Sequence, residues 1–408
     1  MTLASPLPAG ARAGGDVRTI SVIGIAHFGS HFMLLAIAPL LPLMKDDFNV
    51  SFTELGFLLT LFFATSGAGQ VAAGMLVDRL GAHRLLLGGI VLQAVAVVAM
   101  GFTPSYAMMF PLVFASAVGN TVYHPADLSI LSRRVTSARH GRAFAAHAMA
   151  GSFGFAMSPI VVGFAATLWG WRGALVFAGL FGLAVALLVA LNLPAIRTEE
   201  RRASASDQQS SEGQSLSFLA ILSLPIARFG FAFFFLSALA MAGLMNFDVA
   251  ALTEGYGVDL SYATFVVAML QFGAIGGTLV GGFVADRVGN HARVAIISMI
   301  GAAVCVIPIA YTGLPLPLIL VLMTLVGGFV GLALPSRDLL VRQAAPKGNL
   351  GKTFGTVYSG LDGGSLLGPL LIGPVLDHGA PQLLFVIAAV GFCLATFAVN
   401  GIRRPAAA

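Results

Sequence analysis

Charge is what this sequence has least of. Aspartate, glutamate, lysine and arginine together make 10% of its 408 residues, where a soluble domain carries roughly 25%. So few charges cannot cover a water-facing surface, which excludes an ordinary soluble fold. Cysteine is nearly absent. Cys305 and Cys393 both lie inside apolar runs, read as small buried residues, and suggest neither a disulfide nor a thiolate metal site. No Gly-x-x-x-x-Gly-Lys-Ser/Thr phrase occurs, so the chain has no phosphate-cradling loop of its own and an ion gradient is the expected driving force. A nucleophile–base constellation is also missing, and the chain is not read as an enzyme. No cleavable signal peptide is expected: residues 1–18 are polar with Pro and Gly, and the first apolar run is too long for a signal h-region.

What is present is apolar. Hydrophobic residues make 58% of the chain and the mean hydropathy is +0.92. The net charge of +5 and a pI near 9.6 would suit nucleic acid. The positive residues flank apolar runs, however, instead of lining one soluble face, so no nucleic-acid partner is expected. About 20 apolar residues make one helical span. Twelve such runs are expected, at 19–44, 52–77, 84–103, 106–132, 141–168, 172–193, 226–253, 262–285, 293–312, 315–341, 351–376 and 381–402. Between the sixth and seventh lies 194–225, Ser/Gln-rich and without apolar periodicity, which reads as a flexible linker. The expected organisation is therefore a tail at 1–18, a six-helix bundle at 19–193, the linker at 194–225, a second bundle at 226–402 and a tail at 403–408.

Twelve spans put both termini and the linker on one side. Of the 22 Lys and Arg residues, all but Lys45, Arg172 and the intramembrane Arg337 fall on that side. The bias makes it cytoplasmic, with the chain in a bacterial-type inner membrane.

The halves repeat one another. Gly74–Arg84 reads GMLVDRLGAHR, and Gly282–Arg293 repeats it between two later apolar runs. Asp78 corresponds to Asp286, Arg79 to Arg287 and Gly81 to Gly289, each 208 positions apart. Pro125 and Pro335 match, as do Gly141, Phe144, Gly154, Pro159 and Gly163 with Gly351, Phe354, Gly364, Pro369 and Gly373, each pair 210 apart. A charged loop written twice at half-chain spacing means two copies of one membrane unit. The fold class is thus an all-α membrane protein with twelve helices in two pseudo-symmetric six-helix bundles.

Twelve spans, a central linker and a doubled G-x-x-x-D-R-x-G loop resemble the major facilitator superfamily of secondary transporters. The resemblance covers essentially the whole chain. It implies two bundles rocking around a central site, with Gly74, Asp78, Arg79, Gly81, Arg84, Gly282, Asp286, Arg287 and Gly289 in the conformational gate. Ala82–His83 departs from the basic pair usual there. The bland alternative for the gate residues is topology and stability.

Histidine is the informative asymmetry. His27, His31, His124 and His147 lie within expected spans, all in the first half. His27 and His31 share one helix face. Titratable groups in such segments are expensive and point to function, and histidine titrates near neutral pH. The structural alternatives are helix–helix hydrogen bonding and, for His124, satisfying backbone freed by Pro125. His27 and His31 could share a metal ion at i, i+4 spacing. Without nearby cysteine and with few carboxylates, no metal or other cofactor is expected.

The phrases AHFGSHFMLLAIAPLLP and YHPADLSILSRRV…RHGRAFAAHAMAGSFGFAMSP resemble the fosmidomycin-resistance branch of the superfamily. His27, His124, Pro125, Arg139, His140, Gly141, Gly151, Gly154 and Pro159 match it. His31 stands where the branch has an acidic residue, and Ala126 where it has Glu. The proton role would then fall to histidines or to Asp127. Asp127 is read either as a charge relay with Arg79 or Arg84 of the gate or as a proton carrier. In the second half, Asp362, with Tyr358 one turn away, is the expected coupling partner; Gln271 and Asn246 are expected lining residues. The reading is a proton-coupled transporter exporting a small organic anion or antimicrobial compound by antiport, functional as a monomer. Uptake by proton symport and a non-transporting membrane receptor or scaffold are the alternatives.

Overall fold

The backbone of an apolar segment in lipid has no water to bond, so it must satisfy itself, and a helix does so within one segment. The computed structural model describes residues 9–197, 218–311, 313–346 and 350–402, and every regular element among them is helical. The first half holds α1 (Ala9–Leu34), α2 (Leu41–Phe48), α3 (Phe52–Leu80), α4 (Ala82–Met100), α5 (Tyr106–Asn120), α6 (Tyr123–Arg134), α7 (His140–Leu191) and α8 (Leu193–Ile196). The second holds α9 (Phe218–Ser223), α10 (Pro225–Ala250), α11 (Leu260–Arg287), α12 (His291–Val306), α13 (Leu316–Ala344), α14 (Leu350–Asp377) and α15 (Gln382–Ile402).

Among the described residues ten helices are long and apolar enough to cross a membrane, against the twelve expected. Two features account for the difference. The 52 residues of α7 would run about 78 Å if straight, against roughly 30 Å of hydrocarbon. Gly170, at φ 66° and ψ 176°, leaves the helix and divides α7 into two legs. The helix α14 has 28 residues, but its apolar character is diluted by Gly360, Asp362, Gly363, Gly364 and Ser365.

Contacts gather the described residues into two compact units, and the division does not follow the linker. The first unit takes Met1–Ala36, Thr65–Ser158 and Arg172–Ser204; the second takes Ile37–Ala64, Pro159–Trp171 and Ala205–Ala408. Local chemistry explains why Ile37–Ala64 belongs to the second unit. The start of α3 has unbonded N–H groups. Asp377 accepts the N–H of Phe52 at 2.7 Å and of Thr53 at 2.9 Å, together with the Thr53 hydroxyl. Lys45 pairs with Glu254 at 3.1 Å. A Cβ on Gly56 would stand 2.9 Å from the Pro369 carbonyl oxygen, so the backbones are in contact there.

The first unit packs Val22, Ile23 and Ala26 of α1 against Tyr123, Ala126 and Ile130 of α6, Leu86 and Ile90 of α4, and Val185 and Val189 of α7. In the second, α11 lies along α13 at backbone contact. A Cβ on Gly273 or Gly277 would land on the carbonyls of Thr324 or Gly328, and one on Gly327 or Gly331 on those of Leu270 or Ala274. Small residues four apart are how helices close on each other in lipid, where no hydrophobic force separates helix from solvent.

The doubled loop is not doubled in conformation. Gly81 joins α3 to α4 at φ 87° and ψ 130°, a region L-residues avoid. Gly289 is not among the positive-φ glycines; its loop closes instead through Asn290, whose side chain accepts the Arg293 N–H at 3.1 Å. Replacing Gly81 with Ala is expected to cost about 1–3 kcal/mol of backbone strain. Gly289→Ala, with open space around it, is expected to leave stability unchanged. Thermal unfolding of the two purified variants checks this contrast; equal midpoints would refute it.

Candidate functional site

Three helices of the first unit each bring one or two titratable groups to a common point. On α1, His27 and His31 are one turn apart; His27 is 2% exposed. The second contributor depends on a break in the expected fourth span. Pro125 has no N–H to return to the carbonyl four residues earlier, at Thr121, and the regular helical hydrogen bonding lapses at Thr121–Val122, where the dihedrals stay helical, before α6 begins at Tyr123. His124 therefore sits in a first helical turn, and Asp127, three residues on, shares its face. The first leg of α7 contributes His147.

The geometry centres on Asp127, which is wholly buried. Its Oδ2 is hydrogen-bonded to His147 Nε2 at 3.1 Å and stands 3.2 Å from His27 Nδ1. The second distance suits an ion pair, but His27 Nδ1 makes no hydrogen bond, because the ring is turned from the oxygen. The His27 and His147 rings stack with centroids 3.6 Å apart. His31 lies 4.4 Å and His124 5.0 Å from His27, centroid to centroid. His31 also packs on Phe155 of α7 at 4.2 Å. This approach needs glycine: a Cβ on Gly151 would stand 2.8 Å from His27 Cδ2 and 2.9 Å from His31 Cε1. Ser158 Oγ donates to the Phe32 carbonyl at 2.7 Å, fastening α7 to α1 just beyond.

The four histidines singled out in the sequence are thus brought together. Asp127, read from the sequence as a charge relay with Arg79 or Arg84 or as a proton carrier, has His27 and His147 set against its carboxylate. The remaining expected residues lie elsewhere. Arg79, Asp286, Arg287 and Gly289 are exposed, Arg84 is exposed at the start of α4, and the Asp78 side chain is outside the described residues. A Cβ on Gly74 or Gly282 would meet open space, so packing does not demand either glycine.

The second unit has its own polar group. The Arg337 guanidinium of α13 lies 4.1 Å from the Phe234 ring centre and 5.7 Å from that of Tyr358, with Nε donating to Asp338 Oδ1 at 3.0 Å. Asp362 is exposed one turn beyond Tyr358 on α14. Asn246 Nδ2 donates to the Ala242 carbonyl of its own helix at 2.8 Å, which spends one of its donors locally. Gln271 is buried on α11. Two groups outrank these in burial and were not among the expected site residues. Asp248 is fully buried with neither carboxylate oxygen hydrogen-bonded, and Gln93 is fully buried with its amide unpartnered. A carboxylate in an apolar run was the available signal for Asp248.

Among the described residues, ten helices long and apolar enough to cross a membrane mark a multi-pass membrane protein. The profile of the Major Facilitator Superfamily matches residues 23–250 and 230–407. The chain belongs to that superfamily, near its fosmidomycin-resistance branch. It is 22% identical to the fosmidomycin resistance protein of Escherichia coli K12 over 91% of this chain and 89% of that one. It is 26% identical to the membrane sensor protein UhpC of the same organism, over 60% of this chain and 58% of that one. Its fold matches a crystal structure of the nucleoside transporter NupG with TM-score 0.72 at 15% identity, over 96% of this chain and 100% of that one. The chain is accordingly a multi-pass membrane protein of the secondary-transporter type, a class whose members are not enzymes.

Proposed function

We propose that this chain is a proton-coupled secondary transporter that exports a small organic anion or antimicrobial compound in exchange for protons, by alternating access. The observation that carries the reading is Asp127, wholly buried between His147 at 3.1 Å and His27 at 3.2 Å. An imidazolium–carboxylate contact near 4 Å is worth about 4 kcal/mol at an effective dielectric near 20. Desolvating each ion costs several kcal/mol. The attraction offsets part of that cost, so the balance between the charged and the neutral pair is sensitive to its surroundings, as a proton-handling cluster requires. A charge on each of the stacked His27 and His147 rings would set two cations 3.6 Å apart. Arg337, over Phe234 and Tyr358, supplies a cation for an anionic substrate in the second unit, and Asp362, one turn beyond Tyr358 on α14, is that unit's coupling carboxylate.

Twelve crossings follow if the two legs of α7 and the helix α14 each cross. The Lys/Arg bias then sets both termini in the cytoplasm of a bacterial inner membrane, with the Asp78 and Asp286 loops as gates and the monomer as the transport unit. The resemblance to UhpC, a membrane sensor by name, favours a receptor as the second reading.

The test is growth protection of an efflux-deficient host by wild type and His27→Ala, over a panel of toxic compounds that includes fosmidomycin. Protection by the wild type alone is the expected result. Equal protection by both would remove the cluster from the transport path. No protection, together with no substrate-stimulated exchange in vesicles, would favour the receptor.

A further inference from the structure

Three imidazoles from three helices converge on one point. One ring nitrogen from each of His27, His124 and His147 lies within 4.8 Å of the other two. The i, i+4 pair His27 and His31, the spacing that the sequence offers for a metal, is not this trio. His27 and His147 are buried and His124 is exposed, so the cluster has a closed floor and an open side through which an ion can enter. We propose that the His27–His124–His147 trio binds a divalent transition-metal ion of the zinc class, with Asp127 as its counter-charge. The proposal is independent of the direction and substrate of transport.

The donor chemistry selects the ion. Neutral imidazole suits zinc, cobalt, nickel and copper, whereas magnesium and calcium prefer oxygen ligands. Three protein ligands leave a fourth position for water or an anion. Nitrogens about 2.0–2.1 Å from a tetrahedral ion stand about 3.4 Å from one another. The trio therefore closes by no more than about 1.4 Å, which rotation of the exposed His124 ring can supply. Charge is also matched: a dication, three neutral imidazoles and one carboxylate leave a net charge of +1. A buried polar atom without a partner is uncommon and calls for one. Here His27 Nδ1, His31 Nδ1 and Asp127 Oδ1 are all buried without a hydrogen bond. Asp127, hydrogen-bonded to His147 Nε2, also fixes the orientation of that ring.

The test is titration of the purified full chain, carrying no polyhistidine tag, with Zn2+ and with Co2+ as a spectroscopic probe. One saturable equivalent per chain is expected, with visible Co2+ bands of a nitrogen-ligated, low-coordinate site. His124→Asn and His147→Asn are each expected to weaken Zn2+ binding at least about 100-fold, and Asp127→Asn by about 10- to 100-fold. His378→Ala, at the exposed end of α14, leaves binding unchanged. Should a variant fail to fold, Zn2+ protection of His124 from diethylpyrocarbonate, read by mass spectrometry on the wild type, decides alone. Absence of saturable binding, or binding that persists undiminished in both His124→Asn and His147→Asn, or binding lost in His378→Ala, would overturn the site. Unprotected His124 in Zn2+-saturated protein would do the same.

Discussion

Asp127→Asn is expected to lower proton-driven exchange on the order of 100-fold, the lower end of what a positioned proton-transfer group contributes, while leaving the fold intact. The two halves of that expectation have separate causes. Asparagine keeps the shape of the side chain, and it removes a charge buried at 0% exposure whose second oxygen has no hydrogen-bond partner. Taking away the buried carboxylate removes its desolvation cost but also removes the partner of the imidazoles it faces, so the two effects on stability oppose each other. The unfolding temperature should therefore change little. Transport should suffer because His147 and His27 would face an amide that cannot exchange a proton with them. The pH dependence of exchange should flatten, while substrate counterflow, which needs no net proton movement, should persist. A large fall in unfolding temperature with exchange preserved would assign Asp127 to structure alone. A loss of counterflow equal to the loss of driven exchange would place it in substrate binding instead of coupling.

Adjacent glycines on α13 should respond with opposite signs. A Cβ on Gly327 would collide with the Leu270 carbonyl of α11 and stand 2.9 Å from Ala274 N. Both neighbours are backbone, so neither can step aside without moving a helix. Gly327→Ala is expected to cost about 1–3 kcal/mol through overpacking. At Gly328 the one atom in range is the Gly273 carbonyl oxygen at 3.8 Å, an ordinary contact. Gly328→Ala should therefore gain up to about 1 kcal/mol from helix propensity. Unfolding midpoints of the two variants, read in the same detergent, give the comparison. Equal shifts would mean that α11 and α13 are not in backbone contact as described.

The membrane class of the chain, its all-helical character and its internal repeat were readable along the sequence, because hydropathy and repetition are properties of the chain itself. The four intramembrane histidines were readable for the same reason: titratable groups stand out in apolar runs without any knowledge of packing. The role of Asp127 was harder. Its i, i+3 relation to His124 was present in the sequence, but nearby arginines offered an equally good partner on paper. Only the docking of α7 onto α1, through Gly151 and Gly154, brings His147 and His27 to its carboxylate. The same holds for Ile37–Ala64 and Pro159–Trp171, which belong to the first half by order and to the second unit by contact. It holds again for the paired loops, where like sequences turn differently at Gly81 and Gly289. Which helix faces converge is set by backbone approach and side-chain fit between segments hundreds of residues apart. A one-dimensional pattern carries the composition of each face but not its partner.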